Sequence, residues 1–433
     1  MRSRIVVAIL IIGAVFWIGL SFIKQRVGDI RPAIFPSAQN ITNIIENNQR
    51  VSPKPSETVT TKVGDNPQFP LKLPAGFRIG IFAKNLGKPR DLEFSPAGTL
   101  LASIPEQGKV FVLPDSNNDG QADEVKTLLS GLNKPHGLAF YPFDSAQGRQ
   151  DKLFVAELTR VVRYTWNETN LTATQDKVLF SLPPSLGGHN TRSLVFNRKG
   201  QLFVTIGSTC NVCRELNDWY AAVIVSDADG NNPRVFAKGL RNSVFLTVNP
   251  KTNEVWAGDM GRDYLGDNLP PEEINILRDG RDYGWPICYG NKIHDSNFDP
   301  SPPAGRSGQA CANTEAPIFE YQAHSAPLGL TFINSPQFPA DWQGDLLISY
   351  HGSWNRSVPT GYKIVHLKVN ENTITGAEDF LTGFLPARNV THSVAGEQGS
   401  EALGRPVDVI FDIAGSLYIS DDKAGAVYKV IRG

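Results

Sequence analysis

GGHNTRSLVFNRKGQLFVTIG, residues 187–207, is the stretch on which the reading of this chain turns. Residues 193–196 read as a short apolar strand, 197–200 as a tight turn and 201–206 as a second strand with alternating side chains. That layout sets His189, Asn190 and Arg192 where the first strand begins. If the stretch is one unit of a radial array, those three side chains face the common axis. A capped strand end with a hydrogen-bonded histidine is the other reading of the same residues.

The phrase recurs. GKPRDLEFSPAGTLLAS (87–103), NKPHGLAFYP (133–142), GLRNSVFLTVNPKTNEVWAGD (239–259), the run 324–352 and GRPVDVIFDIAGSLYISDDKAGAVYKVI (404–431) repeat it, which makes six. Each has a polar or Pro-containing turn, a short apolar strand, a second turn, then an alternating strand. Spacings of roughly 45 to 85 residues are those of four-stranded propeller blades carrying insertions. The fold class expected is all-β, a six-bladed β-propeller over 69–433, because one small sheet cannot cover both its faces whereas sheets packed radially bury one another. Residues 77–86 are expected to supply the outer strand of the last blade. A pair of sandwiches would not repeat one phrase so often, and a β-helix needs a shorter period.

Composition agrees. The chain has 433 residues, 41% of them hydrophobic, with 39 glycines, 30 prolines and only two methionines, which suits short strands and many turns. A formal net charge of −1 without a basic cluster in the body of the chain argues against nucleic acid as a partner. Residues 5–23 carry no charge and are flanked by Arg2, Arg4, Lys24 and Arg26, a length that just crosses a bilayer core. Residues 1–26 are therefore expected to be an N-terminal transmembrane anchor or signal segment. Residues 27–68, rich in Asn, Ser, Thr and Pro, read as a flexible polar linker. Sequons lie at Asn40 and Asn167.

Four cysteines, Cys210, Cys213, Cys288 and Cys311, suit two disulfides in an exported domain. A zinc set would lack its second C-x2-C, and a redox C-x-x-C lacks a βαβ setting. The membrane-anchored propeller is thus expected on the periplasmic or extracellular side.

Two acidic stretches are candidates for calcium, which takes six to eight oxygen ligands around a bend. DSNNDGQADE (115–124) offers Asp115, Asn117, Asp119 and Asp123, with Lys126 where an EF-hand has Glu; an acidic solvated turn is the alternative. DMGRDYLGDNLPPEEIN (259–275) gathers Asp263, Asp267, Glu272 and Glu273. Just beyond it, Tyr283 and Trp285 are offered either as walls for a flat ligand or as interior packing. Arg241, Asn242, His351, Trp354, Asn355 and Arg356 occupy blade ends equivalent to that of His189, so a propeller would bring cations, amides and a base over one cavity, suited to an anionic planar ligand.

GGHNTRSLVF, GSTCNVC, GLRNSVF, GDMGRDYLGDNLPPEEIN, YGWPICYG, AHSAPLGLTF, HGSWNRSVPTGYK, GRPVDV and LYISDD resemble the sorbosone-dehydrogenase-type branch of the quinoprotein sugar dehydrogenases, related to soluble glucose dehydrogenase. The resemblance covers nearly all of 69–433. It implies a pyrroloquinoline quinone (PQQ) cofactor on the axis and a calcium ion polarising its carbonyl. It also implies a histidine base, with hydride passing from a sugar or sorbosone-like aldehyde to the quinone and electrons then going to an external acceptor. His189 matches the base; Arg241 and Asn242 match residues that hold the cofactor and the developing anion. His189, Asn190, Arg192, Trp354, Arg356, Lys363 and Arg405 complete the expected cofactor set. The carbonyls of Gly261 and Arg262 match the active-site calcium, with Asp267 nearby, and Glu272 with Glu273 match a second, structural calcium.

Three departures stand out. Gly188 occupies the place of an aspartate that precedes the base, Val407 replaces one of two arginines in the last repeat, and the lysine of the fifth repeat has only Arg356 or Lys363 as counterparts. PQQ has three carboxylates, so each missing cation matters. Two other functions fit a tethered propeller: a metal-dependent lactonase-type hydrolase and a non-catalytic ligand-binding module.

Overall fold

Runs of β-branched and aromatic residues alternating in and out, cut by Gly, Asn and Pro turns, fold into small twisted sheets that are apolar on both faces. This computed structural model describes residues 57–58, 64–67, 69–141, 151–300, 310–386 and 401–433. The apolar run 5–23, most of the linker and Asn40 lie outside these residues. Among the described residues no helix is long and apolar enough to cross a membrane.

Six antiparallel sheets make the blades. Blade I is Leu92–Phe94, Leu100–Ile104, Lys109–Leu113 and Lys126–Leu129. Blade II is Leu138–Phe140, Lys152–Glu157, Arg160–Asn167 and Thr172–Ser181. Blade III is Leu194–Phe196, Gln201–Ile206, Ala222–Asp227 and Arg234–Lys238, with Arg281–Asp282 added in parallel at its edge. Blade IV is Leu246–Val248, Val255–Asp259, Glu272–Leu277 and Phe319–Tyr321. Blade V is Pro327–Phe332, Leu346–Tyr350, Lys363–Asn370 and Thr373–Leu381. Blade VI takes Pro406–Phe411, Leu417–Asp421 and Ala426–Arg432 from the end of the chain and its outer strand, Phe77–Ala83, from the beginning.

The innermost strands touch in the cyclic order I to VI and back to I, so the expected ring of six is closed. Hydroxyls on second strands bind the seams. Thr205 Oγ1 donates to Val244 O (3.2 Å), Ser420 Oγ to Arg90 O (2.6 Å) and Ser349 Oγ to Val407 O, each reaching the next blade. Close approach also needs small residues: a Cβ on Gly137 would lie 2.6 Å from Arg192 O. The remaining seam volume is filled by side chains such as Leu101, Val110, Leu153 and Val155 between blades I and II, all buried.

Cys210 is bonded to Cys213 and Cys288 to Cys311, so all four sulfurs are in the two expected disulfides and none is left as a thiolate for zinc. Tyr283 is buried between blades III and IV, its hydroxyl donating to Ile276 O at 2.6 Å, so the packing alternative holds for that ring.

Candidate active site

In an antiparallel four-stranded meander, the turn entering strand one and the loop joining strands two and three emerge at the same end. Repeated around a ring, these segments converge on one mouth. They enclose a well of about 420 Å³ whose wall includes Arg90, His189, Asn190, Arg241, Asn242, Gly261, Asp263, Glu272, His351, Trp354 and Arg405. Six chain-distant segments thus meet over the axis.

Asp259, buried at the end of its strand, organises one side. It accepts from the backbone amides of Arg241 (3.0 Å) and Asn242 (2.9 Å) and from Ser243 Oγ (2.8 Å). Burial pushes its carboxyl up to about 6 against those three bonds. All five N–H groups of Arg241 have protein acceptors: Asn211 O, Asn211 Oδ1, Gly261 O, Met260 O and Asp263 Oδ2, at 2.8 to 3.3 Å. Arg241 therefore contributes charge and framework, not a free hydrogen-bond fork. Beside it, Asn242 Oδ1 is buried with no partner among the described residues.

Across the well, Arg90 Nη1 and His351 Nε2 both bind Asp422, at 2.7 and 2.9 Å. Those partners hold the Asp422 carboxyl well below its usual range despite burial, and burial moves His351 down to about 4. Arg405 donates Nε to His351 O (3.1 Å) and Nη2 to Gly352 O (2.5 Å). Arg90 Nε and Nη2, and Arg405 Nη1, have no partner among the described residues, so two guanidinium groups that line the well retain donors. Trp354 stands at the mouth with its ring edge-on to Tyr264, centroids 6.0 Å apart. His189 holds its Nδ1 against Ser208, while burial and the nearby Arg241 charge push its imidazole down to about 3.

The remaining candidates divide. His189, Asn190, Arg241, Asn242, Gly261, Glu272, Trp354 and Arg405 meet at the well. Arg192 is 1% exposed beneath it, its Nη1 on the carbonyls of Thr191 (2.8 Å) and His189 (3.3 Å). Arg356 and Lys363, the expected fifth-repeat cations, do not line it: Arg356 donates to Asp267 O at 2.5 Å and Val358 O at 3.0 Å, and Lys363 pairs with Asp379 at 2.6 Å.

Strand geometry parts the expected glutamate pair, because successive residues point to opposite faces. Glu272 turns to the well and accepts from the amides of Gly261 (2.7 Å) and Ala326 (3.1 Å). Glu273 turns away to the amide of Gly290 (2.6 Å). Both are buried and pushed up to about 8. The Arg262 guanidinium pairs with Asp295 at 2.7 Å, which leaves its carbonyl, the atom expected at calcium, out of that contact, and the Asp267 carboxylate takes the amide and hydroxyl of Ser357.

The 115–124 loop lies at the opposite end of the ring. Its oxygens bind its own amides: Asp115 those of Asp119 and Gly120, Asn117 that of Asp119, Asp119 that of Gln121, and Asp123 that of Ser116. An acidic turn and a calcium loop share this bonding, and the loop stands apart from the well.

Arg90, His351 as the partner of Asp422, and Asp259 were not among the sequence candidates' cofactor or catalytic set. The Arg90 signal was present, since Arg90 precedes the first blade's strand as Arg405 precedes the last one's.

A family model described as TrAA12-like matches residues 71–433. A Borreliella burgdorferi protein described only as uncharacterized is 31% identical over 379 residues, covering 83% of this chain and 90% of that protein. A Coprinopsis cinerea pyrroloquinoline quinone-dependent pyranose dehydrogenase is 25% identical over 424 residues; the match covers 84% of this chain and 55% of that protein, so the chain spans about half its length. The holo PQQ domain of a Coprinopsis cinerea pyranose dehydrogenase superposes with a TM-score of 0.68 at 22% identity, covering 85% of this chain and 98% of that domain.

Proposed function

The chain belongs to the TrAA12-like family, and from that premise we propose that it is a PQQ- and calcium-dependent sugar dehydrogenase. The observation that carries this reading is the convergence of Arg90, Arg405 and His189 on one well, with cationic donors left over on one side and a base on the other. A planar tricarboxylate suits such a cavity: Arg90 and Arg405 would hold its carboxylates and Asn242 its polar edge, while Gly207 lets His189 and Asn242 pack against it, since a Cβ there would lie 2.6 Å from His189 Cβ. Arg90 thus makes good the cation lost at Val407. For calcium, the oxygens of Gly261, Asp263 and Glu272 are on the wall, and the Gly261 carbonyl has a lone pair beyond the one that Arg241 uses.

Bound PQQ supplies a two-electron acceptor for an alcohol's hydride, and calcium a Lewis acid. The chain's part is to orient and to move one proton. His189, neutral across the physiological range, takes the hydroxyl proton of the sugar. The Arg241 charge, fixed by its five bonds, stabilises negative charge that develops in the well. Trp354 offers an apolar face for a sugar ring at the mouth.

We take the substrate to be an aldose or a sorbosone-like aldehyde and the electron acceptor to be external. With two disulfides, the propeller belongs on the exported side of a membrane, tethered by residues 1–26. What sets the well apart from a lactonase-type site is the presence of three arginines, Arg90, Arg241 and Arg405, beside its carboxylates Asp263 and Glu272. The test is a titration of the protein with PQQ and calcium followed by cofactor absorbance, then a broad sugar panel. Sugar-dependent quinone reduction supports the reading, with His189→Ala lowering turnover about 10² to 10⁴-fold. Reduction by no sugar, with PQQ bound, overturns it.

A further inference from the structure

We propose that Ser208 is the positioning residue of the base: it holds the His189 imidazole in the Nδ1–H tautomer, aiming a bare Nε2 into the well, in place of a carboxylate. This rests on the reading of His189 as base, and it concerns how a chain without an adjacent aspartate prepares that base.

Three bonds decide the tautomer. His189 Nδ1 lies 3.1 Å from Ser208 O and 3.0 Å from Ser208 Oγ. The carbonyl can only accept. The hydroxyl has one proton, and it is donated to Cys210 O at 2.7 Å, so Oγ also faces the ring as an acceptor. A bare Nδ1 would meet lone pairs on both partners; the proton must sit on Nδ1. Nε2 then carries the lone pair, and no described residue bonds it.

Local construction explains why a carboxylate at position 188 is absent. Gly188 has φ +72°, and a Cβ there would lie 2.7 Å from Thr209 C and 2.8 Å from Ser208 O. An aspartate would collide with the very segment that carries Ser208. That segment is pinned from several sides: Ser208 N donates to Arg241 O (2.8 Å), His189 N to Ser208 O (3.1 Å), and Glu215 takes the amide (2.7 Å) and hydroxyl (2.8 Å) of Thr209. The Cys210–Cys213 bond closes the same turn, fixing the carbonyl that receives the serine proton.

A neutral orienter has a different electrostatic consequence from a carboxylate. The charges nearest the ring are the cations Arg241 and Arg192, with Arg90 and Arg405 across the well. The well's carboxylates are engaged elsewhere, Asp263 by Arg241 and Asn355, Glu272 by two amides. Among the described residues nothing anionic contacts the imidazole, so it stays unprotonated far into acid, in keeping with its downward shift.

The test reads the tautomer directly. Long-range ¹H–¹⁵N correlation on histidine-labelled protein without cofactor, assigned with His189→Gln, is expected to show Nδ1 protonated and Nε2 bare from pH 5 to 8. An Nε2–H ring overturns the proposal, whether or not the protein oxidises sugar. In PQQ-loaded enzyme, Ser208→Asp is expected to raise the acid limb of kcat/KM by one pH unit or more with KM little changed. Ser208→Ala, which keeps the carbonyl, is expected to lower kcat about 5- to 10-fold, the weight of one hydrogen bond, and Ser208→Thr to restore it. A Ser208→Asp enzyme whose acid limb does not move also overturns the proposal.

Discussion

Arg90 reaches the well with one guanidinium nitrogen on Asp422 and two unclaimed by described residues, whereas Lys363 spends its charge on Asp379. An arginine fork facing a carboxylate in a partly buried site forms charge-assisted bonds worth roughly 1.5–3 kcal/mol each. Arg90→Met is therefore expected to weaken PQQ binding about 10- to 100-fold, read from the absorbance titration, with folding retained. Lys363→Met is expected to leave that titration unchanged while lowering the melting temperature by a few degrees, because it removes only an ion pair on the blade. Equal effects from the two variants would contradict this division of labour. In sequence both were cations near a blade end, and nothing in their spacing told which would line the well with donors left after meeting its carboxylate.

Strands were legible where side chains alternate and turns carry Gly, Asn or Pro, because period two and turn chemistry are local. Hence the six inner strands and the closing role of 77–86 were expected and are present. The partners of a loop are set by other blades and left no local trace: the 208–215 turn over Gly188 is the case in point. The glutamate pair is the opposite case, since alternation alone already sets Glu272 and Glu273 on opposite faces. Gly188→Asp is the element-scale experiment. Restoring the aspartate of the glucose enzymes at that place is expected to destabilise the fold by about 2–4 kcal/mol, from a positive φ and a Cβ against Thr209, and to lower turnover. Denaturant unfolding monitored beside wild type measures the first. A gain in turnover without loss of stability would show that the turn can yield.

The closed ring places carboxylates in its own seams, and that makes the stability of the whole molecule depend on pH. Asp408 of blade VI accepts the amide of Leu92 in blade I at 2.9 Å, and Glu93 of blade I accepts the amide of Phe140 in blade II at 3.1 Å. Burial, with Asp408 nearby, pushes Glu93 up to about 8, while burial pushes Asp408 up to about 6; Asp91 beside them also moves up. The folded chain then binds more protons than the unfolded chain between the ordinary carboxyl value and these raised ones. Stability from these groups is full below about pH 4.5 and is lost as pH rises toward 8. Asp422, held low by His351 and Arg90, works with the opposite sign, its contribution fading only in strong acid. Glu93→Gln keeps an oxygen for the Phe140 amide and removes the titration. Relative to wild type it is expected to be near neutral at pH 5 and more stable by about 1–3 kcal/mol at pH 8.5, as read from paired unfolding curves. A pH-independent difference would mean that Glu93 ionises inside the seam with water or a cation beside it, and the blades would then be less tightly joined there than their hydrogen bonds imply.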